Sequence, residues 1–261
     1  RKIVEKFGER EALVVKSQNY RATYNEFWQQ TTEVAKSLLA YGVKKGDRVG
    51  IWAPNRYEWV LIQYATARVG AIMVNINPGY KTTGLKYALE QAQIKLLIAA
   101  QGFRKTSYVE ILNRVRPECD YPQRTLIIER DWKHFIAHGR EIEDEALAKV
   151  EKKLQFDDPI NIQYTSGTTG YPKGATLSHH NILNNGFFIG ERLQYTEQDR
   201  VCIPVPFYHC FGMVLGNMAV TSHGACMVIP GEAFEPETVM KTVEQEKCTS
   251  LYGVPTMFIA E

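Results

Sequence analysis

The sequence predicts an α/β fold: two stacked lobes with mainly parallel sheets flanked by helices. Three observations carry this. Short β-branched runs alternate with helical patterns along most of the chain, which is the rhythm of βαβ units. A chain of 261 residues with 44% hydrophobic content can bury a large core, and at that length one core tends to divide. A charged stretch from Asp131 to Phe156, stopped by Asp157-Asp158-Pro159, reads as surface helix and connector. It sets the expected division into residues 1–156 and residues 157–261.

The elements follow in order. Ala12 to Val15 is a β-branched strand. Thr23 and Glu26 form a capping box. Phe27, Thr31, Val34, Ala35, Leu38 and Leu39 then recur at helical spacing, and Gly42 ends that helix. Arg48 to Trp52 is a strand. Asn55 is expected to cap a helix over 56–68, followed by a strand Ala71 to Asn75. Asn77-Pro78-Gly79 reads as a turn. Further helices are expected near 83–91 and 105–115, with strands at 95–99 and 125–128. Ile160 to Tyr164 is a short strand, and Ser178 caps a helix running through Arg192. Strands at 201–203, 225–229 and 249–252 alternate with an apolar helix from Met213 to Val220 and a helix from Pro236 to Gln245.

Composition excludes several classes. A formal net charge of +2 and the absence of long like-charge runs give no sign of a nucleic-acid partner. Five cysteines without a C-x-x-C point to neither a disulfide framework nor a zinc ribbon, and suit an intracellular, reducing compartment. The best apolar run, Val60 to Val74, is broken by Gln63 and Arg68, so no membrane span is expected. The chain opens on Arg1 rather than Met, so the natural N-terminus, with any targeting segment, is expected upstream. His179-His180 and His134/His138 lack the spacing and acidic partners of a metal site, and no metal ligand is assigned.

The stretch richest in chemistry is Tyr164-Thr165-Ser166-Gly167-Thr168-Thr169-Gly170-Tyr171-Pro172-Lys173-Gly174. Its glycines let an anion approach the main chain. Backbone N–H groups in such turns make an anion-binding concavity. The hydroxyls add donors, and Lys173 adds a compact positive charge. The string is neither G-x-x-x-x-G-K-[ST] nor G-x-S-x-G. It resembles, position for position, the phosphate-binding signature [YF]-T-S-G-T-T-G-x-P-K-G of the adenylate-forming superfamily. The wider segment DPINIQYTSGTTGYPKGATLSHHNILNN is most similar to medium-chain acyl-CoA synthetases of the fatty-acid branch.

This resemblance, which spans essentially the whole chain, has several implications. The fold is expected to be the N-terminal portion of the large domain of an adenylate-forming enzyme. The activity is expected to be ATP-dependent activation of a medium- or long-chain fatty acid, through an acyl-adenylate, to acyl-CoA. ATP, fatty acid and coenzyme A are the implied partners, with Mg²⁺ held by ligands outside this chain. Thr165 through Lys173 would clamp the β- and γ-phosphates. Pro206-Phe207-Tyr208-His209-Cys210-Phe211-Gly212 is similar to the family's P-x-[FY]-H-x-x-G element. That places His209 at the reacting carboxylate, with Phe207, Phe211 and Val214 lining an acyl channel. Gly253, Pro255 and Thr256 lie in a segment similar to the family's V-P-[TP] element at the floor of that pocket.

The family's Y-G-x-T-E and x-T-G-D elements and its mobile C-terminal domain do not occur in the sequence, so the chain by itself is expected to show little or no turnover. The compartment is expected to be a bacterial cytoplasm or a mitochondrial matrix. Two other readings stay open: an enzyme adenylating aryl or amino acids, and a non-catalytic nucleotide-binding module.

Overall fold

A computed structural model describes residues 1–165 and 172–260. In chain order the elements are α1 (Lys2–Phe7), β1 (Glu11–Val15), β2 (Tyr20–Thr23), α2 (Tyr24–Ala40), β3 (Arg48–Trp52), α3 (Tyr57–Val69), β4 (Ile72–Asn75), α4 (Thr82–Ala92) and β5 (Leu96–Ala99). Then come β6 (Gly102–Phe103), β7 (Thr106–Ser107), α5 (Tyr108–Val115), β8 (Arg124–Ile127), α6 (Ile128–Gly139), α7 (Asp144–Glu151), β9 (Pro159–Thr165), β10 (Lys173–Ser178) and α8 (His179–Arg192). Last are β11 (Arg200–Cys202), a π-helix (Phe211–Met218), α9 (Ala219–Ser222), β12 (Cys226–Ile229), α10 (Pro236–Gln245), β13 (Ser250–Leu251) and α11 (Pro255–Ala260).

Two compact units result, and neither is continuous in sequence. The first comprises Arg1–Gln30, Pro54–Leu61 and His180–Glu261; the second comprises Thr31–Ala53 and Ile62–His179. This differs from the expected division at 156/157. Strand pairing is the reason: β1 pairs in parallel with β12, and β9 pairs in parallel with β4. The charged stretch, which contains α7 and most of α6, therefore lies inside the second unit and does not connect two lobes. Each unit does hold a mainly parallel sheet. In the first the order is β13-β11-β12-β1-β2, with only β2 antiparallel. In the second it is β10-β9-β4-β3-β5-β8, with only β10 antiparallel. Strands buried on both faces read as unbroken apolar runs. Leu96 to Ala99 and Cys226 to Ile229 are such runs, and each residue in them is buried.

Local chemistry explains most of the boundaries. Glu26 accepts from Thr23 N at 2.7 Å while Thr23 Oγ1 accepts from Glu26 N at 3.2 Å, the reciprocal capping box that starts α2. Gly42, at φ +77°, closes the other end, with Val43 N–H donating to Leu38 O at 3.0 Å. The helix expected from residue 105 begins only at Tyr108. Residues 102–107 form the β6–β7 hairpin instead, and Ser107 accepts from Glu110 N to cap α5. Asn55 does not cap α3. Its side chain is engaged elsewhere, and Gln18 Oε1 accepts from Tyr57 N at 2.8 Å in its place.

The first unit also contains an ionic cluster around the buried carboxylate of Glu246. Glu246 accepts from Lys16 at 2.9 Å and from Arg200 at 2.7 Å, and also pairs with Arg21. Burial pushes its carboxyl upward, but the hydrogen bonds and charges of Lys16 and Arg21 outweigh this and leave its pKa below the usual carboxylate range. A depressed folded-state pKa contributes stability above the unfolded value of 4.5, lost as pH falls through the folded value. Glu246→Gln is therefore expected to unfold at lower urea than the parent near pH ~7, with the gap closing as pH falls below 4.5. A gap that stays constant with pH would refute this account.

Candidate functional site

In the second unit, β9 and β10 form a hairpin whose register sets Lys173 opposite Thr165. Thr165 Oγ1 lies 3.4 Å from Lys173 O, and both residues are exposed. Ser166, Gly167, Thr168, Thr169, Gly170 and Tyr171 lie outside the described residues. Two tyrosines fix the ends of the hairpin to α4. Tyr87 Oη donates to Pro172 O at 2.8 Å, and Tyr164 Oη donates to Ala88 O at 3.1 Å. Burial, followed by the neighbouring Tyr87 and Tyr80, raises the pKa of Tyr164 above the usual phenol range, so it stays a donor. Deeper in the sheet, Asn161 Nδ2 on β9 donates to Asn75 Oδ1 at 2.8 Å and to Met73 O at 2.9 Å. These bonds tie the amino-terminal half of β9 to β4.

In the first unit, parallel strands β11 and β13 are neighbours, with Cys202 opposite Leu251. The chain leaves the carboxyl end of β11 toward Pro206–Gly212 and the carboxyl end of β13 toward Gly253–Thr256. Ligands in open α/β sheets bind at such ends. His209 is exposed, and its Nδ1 accepts from Phe211 N at 3.1 Å, which leaves Nε2 free to present a proton outward. Its carbonyl accepts from Gly212 N and Met213 N, both at 3.1 Å, where the π-helix begins. The apolar helix expected from residue 213 is this π-helix continued by α9; π geometry is frequent at functional sites.

The remaining sequence-predicted residues divide into two groups. Phe211 is half-buried, with its ring edge-on to Tyr252 at 5.5 Å, and Tyr252 Oη donates to Leu215 O at 2.7 Å. Gly253 lies against the ring of Phe258, and Pro255 and Thr256 are exposed on α11. Phe207 and Val214, by contrast, are buried at 1% and 4% exposure, with the Phe207 ring 5.3 Å from Trp59. Sequence reasoning gave Asn55 only the role of a helix cap. Only 2% exposed, it donates through Nδ2 to Val205 O and accepts at Oδ1 from Phe207 N, both at 2.9 Å. No local signal could reveal partners so distant in sequence. Among the described residues no group of three His, Cys, Asp or Glu is placed to hold a metal ion.

The sequence model of the family described as AMP-binding enzyme matches residues 1–261. The chain belongs to that family. Among AMP-binding relatives, the mitochondrial medium-chain acyl-CoA ligase ACSF2 of Danio rerio is 40% identical over 277 residues, covering 98% of this chain and 46% of that protein. YngI of Bacillus subtilis is 44% identical over 275 residues, covering 98% of this chain and 50% of the relative. The chain therefore spans about half the length of these curated AMP-binding relatives. In fold it is similar to a solved Mycobacterium tuberculosis fatty acyl CoA synthetase, with a TM-score of 0.85, 21% identity, and coverage of 99% of this chain and 49% of that one. Among the described residues, no helix is long and apolar enough to cross a membrane.

Proposed function

We propose that this chain carries the phosphate-holding and acyl-side residues of a fatty acid–CoA ligase. The observation behind this reading is the hairpin register that holds Lys173 exposed opposite Thr165, at the end of a strand that leads into a glycine- and hydroxyl-rich sequence. In the first step a fatty carboxylate attacks the α-phosphate of ATP and pyrophosphate leaves. In the second, the thiol of coenzyme A displaces AMP from the acyl-adenylate. An anion attacking a polyanion meets charge repulsion, so the phosphates must be neutralised and the reactants held in line. Thr165 through Lys173 hold the β- and γ-phosphates. His209 places the carboxylate with its outward Nε2–H. Phe211 and Gly253 through Thr256 meet the acyl chain, and Phe207 and Val214 support that surface from behind.

Support for a fatty acid comes from the apolar and aromatic side chains around His209, which offer no carboxylate for a substrate amine. The test is ATP–pyrophosphate exchange by the complete natural polypeptide, screened over fatty, aryl and amino acids. Medium- and long-chain fatty acids are expected to drive exchange most strongly; a preference for an aryl or amino acid would overturn the substrate, and no exchange with any acid would overturn the enzyme. The 261-residue chain alone is expected to bind nucleotide without forming acyl-adenylate, and adenylate production by it would refute that part.

A further inference from the structure

We infer that Asn55 is a positioning residue for the His209 segment, fixing where the reacting carboxylate is held. The inference rests on the acyl-CoA ligase reading above.

The geometry is that of a two-point clamp. Asn55 is almost fully buried, and both ends of its amide bind main-chain atoms of one segment: Nδ2 to Val205 O and Oδ1 to Phe207 N, each at 2.9 Å. Its own N–H donates to Glu232 O at 3.2 Å. The clamp therefore spans the carboxyl end of β11 and the chain just beyond β12. Two residues past Phe207 stands His209, whose N–H reaches back to Pro206 O at 3.3 Å. Pro206 lies between the two clamped residues, so the turn carrying His209 has its base held on both sides. Trp59, four residues beyond Asn55 in the first turn of α3, backs the Phe207 ring. An amide suits both contacts, because a carbonyl oxygen needs a donor and an N–H needs an acceptor. Ala would leave a buried N–H and a buried C=O unpaired.

The charged surroundings are simple. Arg56, next in sequence, is paired with Glu58 at 2.8 Å. Glu232 meets Asn55 through its carbonyl, and the facing run Ile203-Pro204-Val205-Pro206-Phe207 has no titratable side chain. Asn55→Asp therefore makes a sensitive probe. Burial raises a carboxyl's pKa. Protonated, it donates to Val205 O and accepts from Phe207 N as the amide does; ionised, it repels the Val205 carbonyl.

The test uses the complete natural polypeptide. Pyrophosphate release is measured with a medium-chain fatty acid, and hydrogen exchange is followed at the Phe207 amide. In the parent protein that amide is expected to be protected; exchange at the rate of an open chain would overturn the clamp without reference to any activity. For Asn55→Asp near pH ~8, kcat/KM for the acid is expected to fall about thirtyfold, because the hydrogen bond to Val205 O is replaced by repulsion inside the protein while the one from Phe207 N remains, with KM for ATP unchanged. The ratio to the parent is expected to recover as pH is lowered toward ~6. A pH-independent loss, or an equal loss in KM for ATP, would mean a general structural role and overturn the proposal. A parent protein that releases no pyrophosphate with any acid overturns the ligase reading and the link to the reaction, while the exchange result still decides the clamp.

Discussion

Lys173→Ala in the complete natural polypeptide is expected to reduce kcat/KM for ATP about thirtyfold, equivalent to ~2 kcal/mol for loss of a charged hydrogen-bond partner. The side chain sits at the first position of β10, exposed, opposite Thr165. Its backbone is fixed through the strand pair and through the Tyr87 bond to Pro172, so the substitution removes a charge without loosening the hairpin. Thermal stability should change little, since exposed substitutions away from special features usually stay within ~0.5 kcal/mol. Lys173→Arg is not a neutral control, because guanidinium and ammonium present different donor geometries. Steady-state pyrophosphate release against ATP concentration measures the effect. A variant as active as its parent at limiting ATP would remove Lys173 from the phosphate site.

Gly212→Ala is expected to be the most damaging single methyl on the acyl side. A Cβ at Gly212 would lie 2.5 Å from Pro206 O, 2.8 Å from Pro206 C and 3.0 Å from Phe207 Cα. All three are backbone atoms, so no rotamer change makes room. The backbone is also held, because Asn55 binds Val205 and Phe207 on either side of Pro206. Overpacking of this kind costs ~1–3 kcal/mol, and here the displacement falls on the turn that carries His209. Urea unfolding should show lower stability, and acid-dependent pyrophosphate release should fall further than stability alone explains. Gly231→Ala is the control, since its nearest contact would be 3.7 Å away at Ala233 O. Equal behaviour of the two variants would mean that the Pro206–Gly212 approach is not what orders the site.

What the sequence revealed was what short-range chemistry decides. Thr23 and Glu26 cap each other across three residues, and Gly42 adopts the positive φ its position suggests. Pro236 follows Glu235, whose carboxylate accepts from Glu237 N and Thr238 N, so α10 starts where local pattern places it. The family signature was equally legible because its parts are contiguous. Asn55 was misread because a polar residue before a helix ordinarily caps it, whereas its partners lie on Val205 and Phe207. The inward turn of Phe207 was hidden for a related reason: outside a helix or strand, no periodicity says which way a side chain points. Arg104, in the left-handed region at φ 53°, gave no warning of the β6–β7 hairpin. The interleaving of the units was illegible too, since Leu13 opposite Met227 is a pairing no local window contains.

That last pairing has a consequence for how the protein comes off the ribosome. All of the second unit has been synthesised once His179 has emerged, so its sheet, with the β9–β10 hairpin, can close on the nascent chain. Leu13, although made early, must wait for Met227, and a hairpin of β1 and β2 without further strands is marginal in water. At about 5–20 residues per second, the amino-terminal strands spend roughly ten to forty seconds as unpartnered edges before β12 arrives. The chain's first-made sheet residues are thus among its last to be buried, and chaperones that recognise apolar segments have their longest opportunity at Ala12 to Val15.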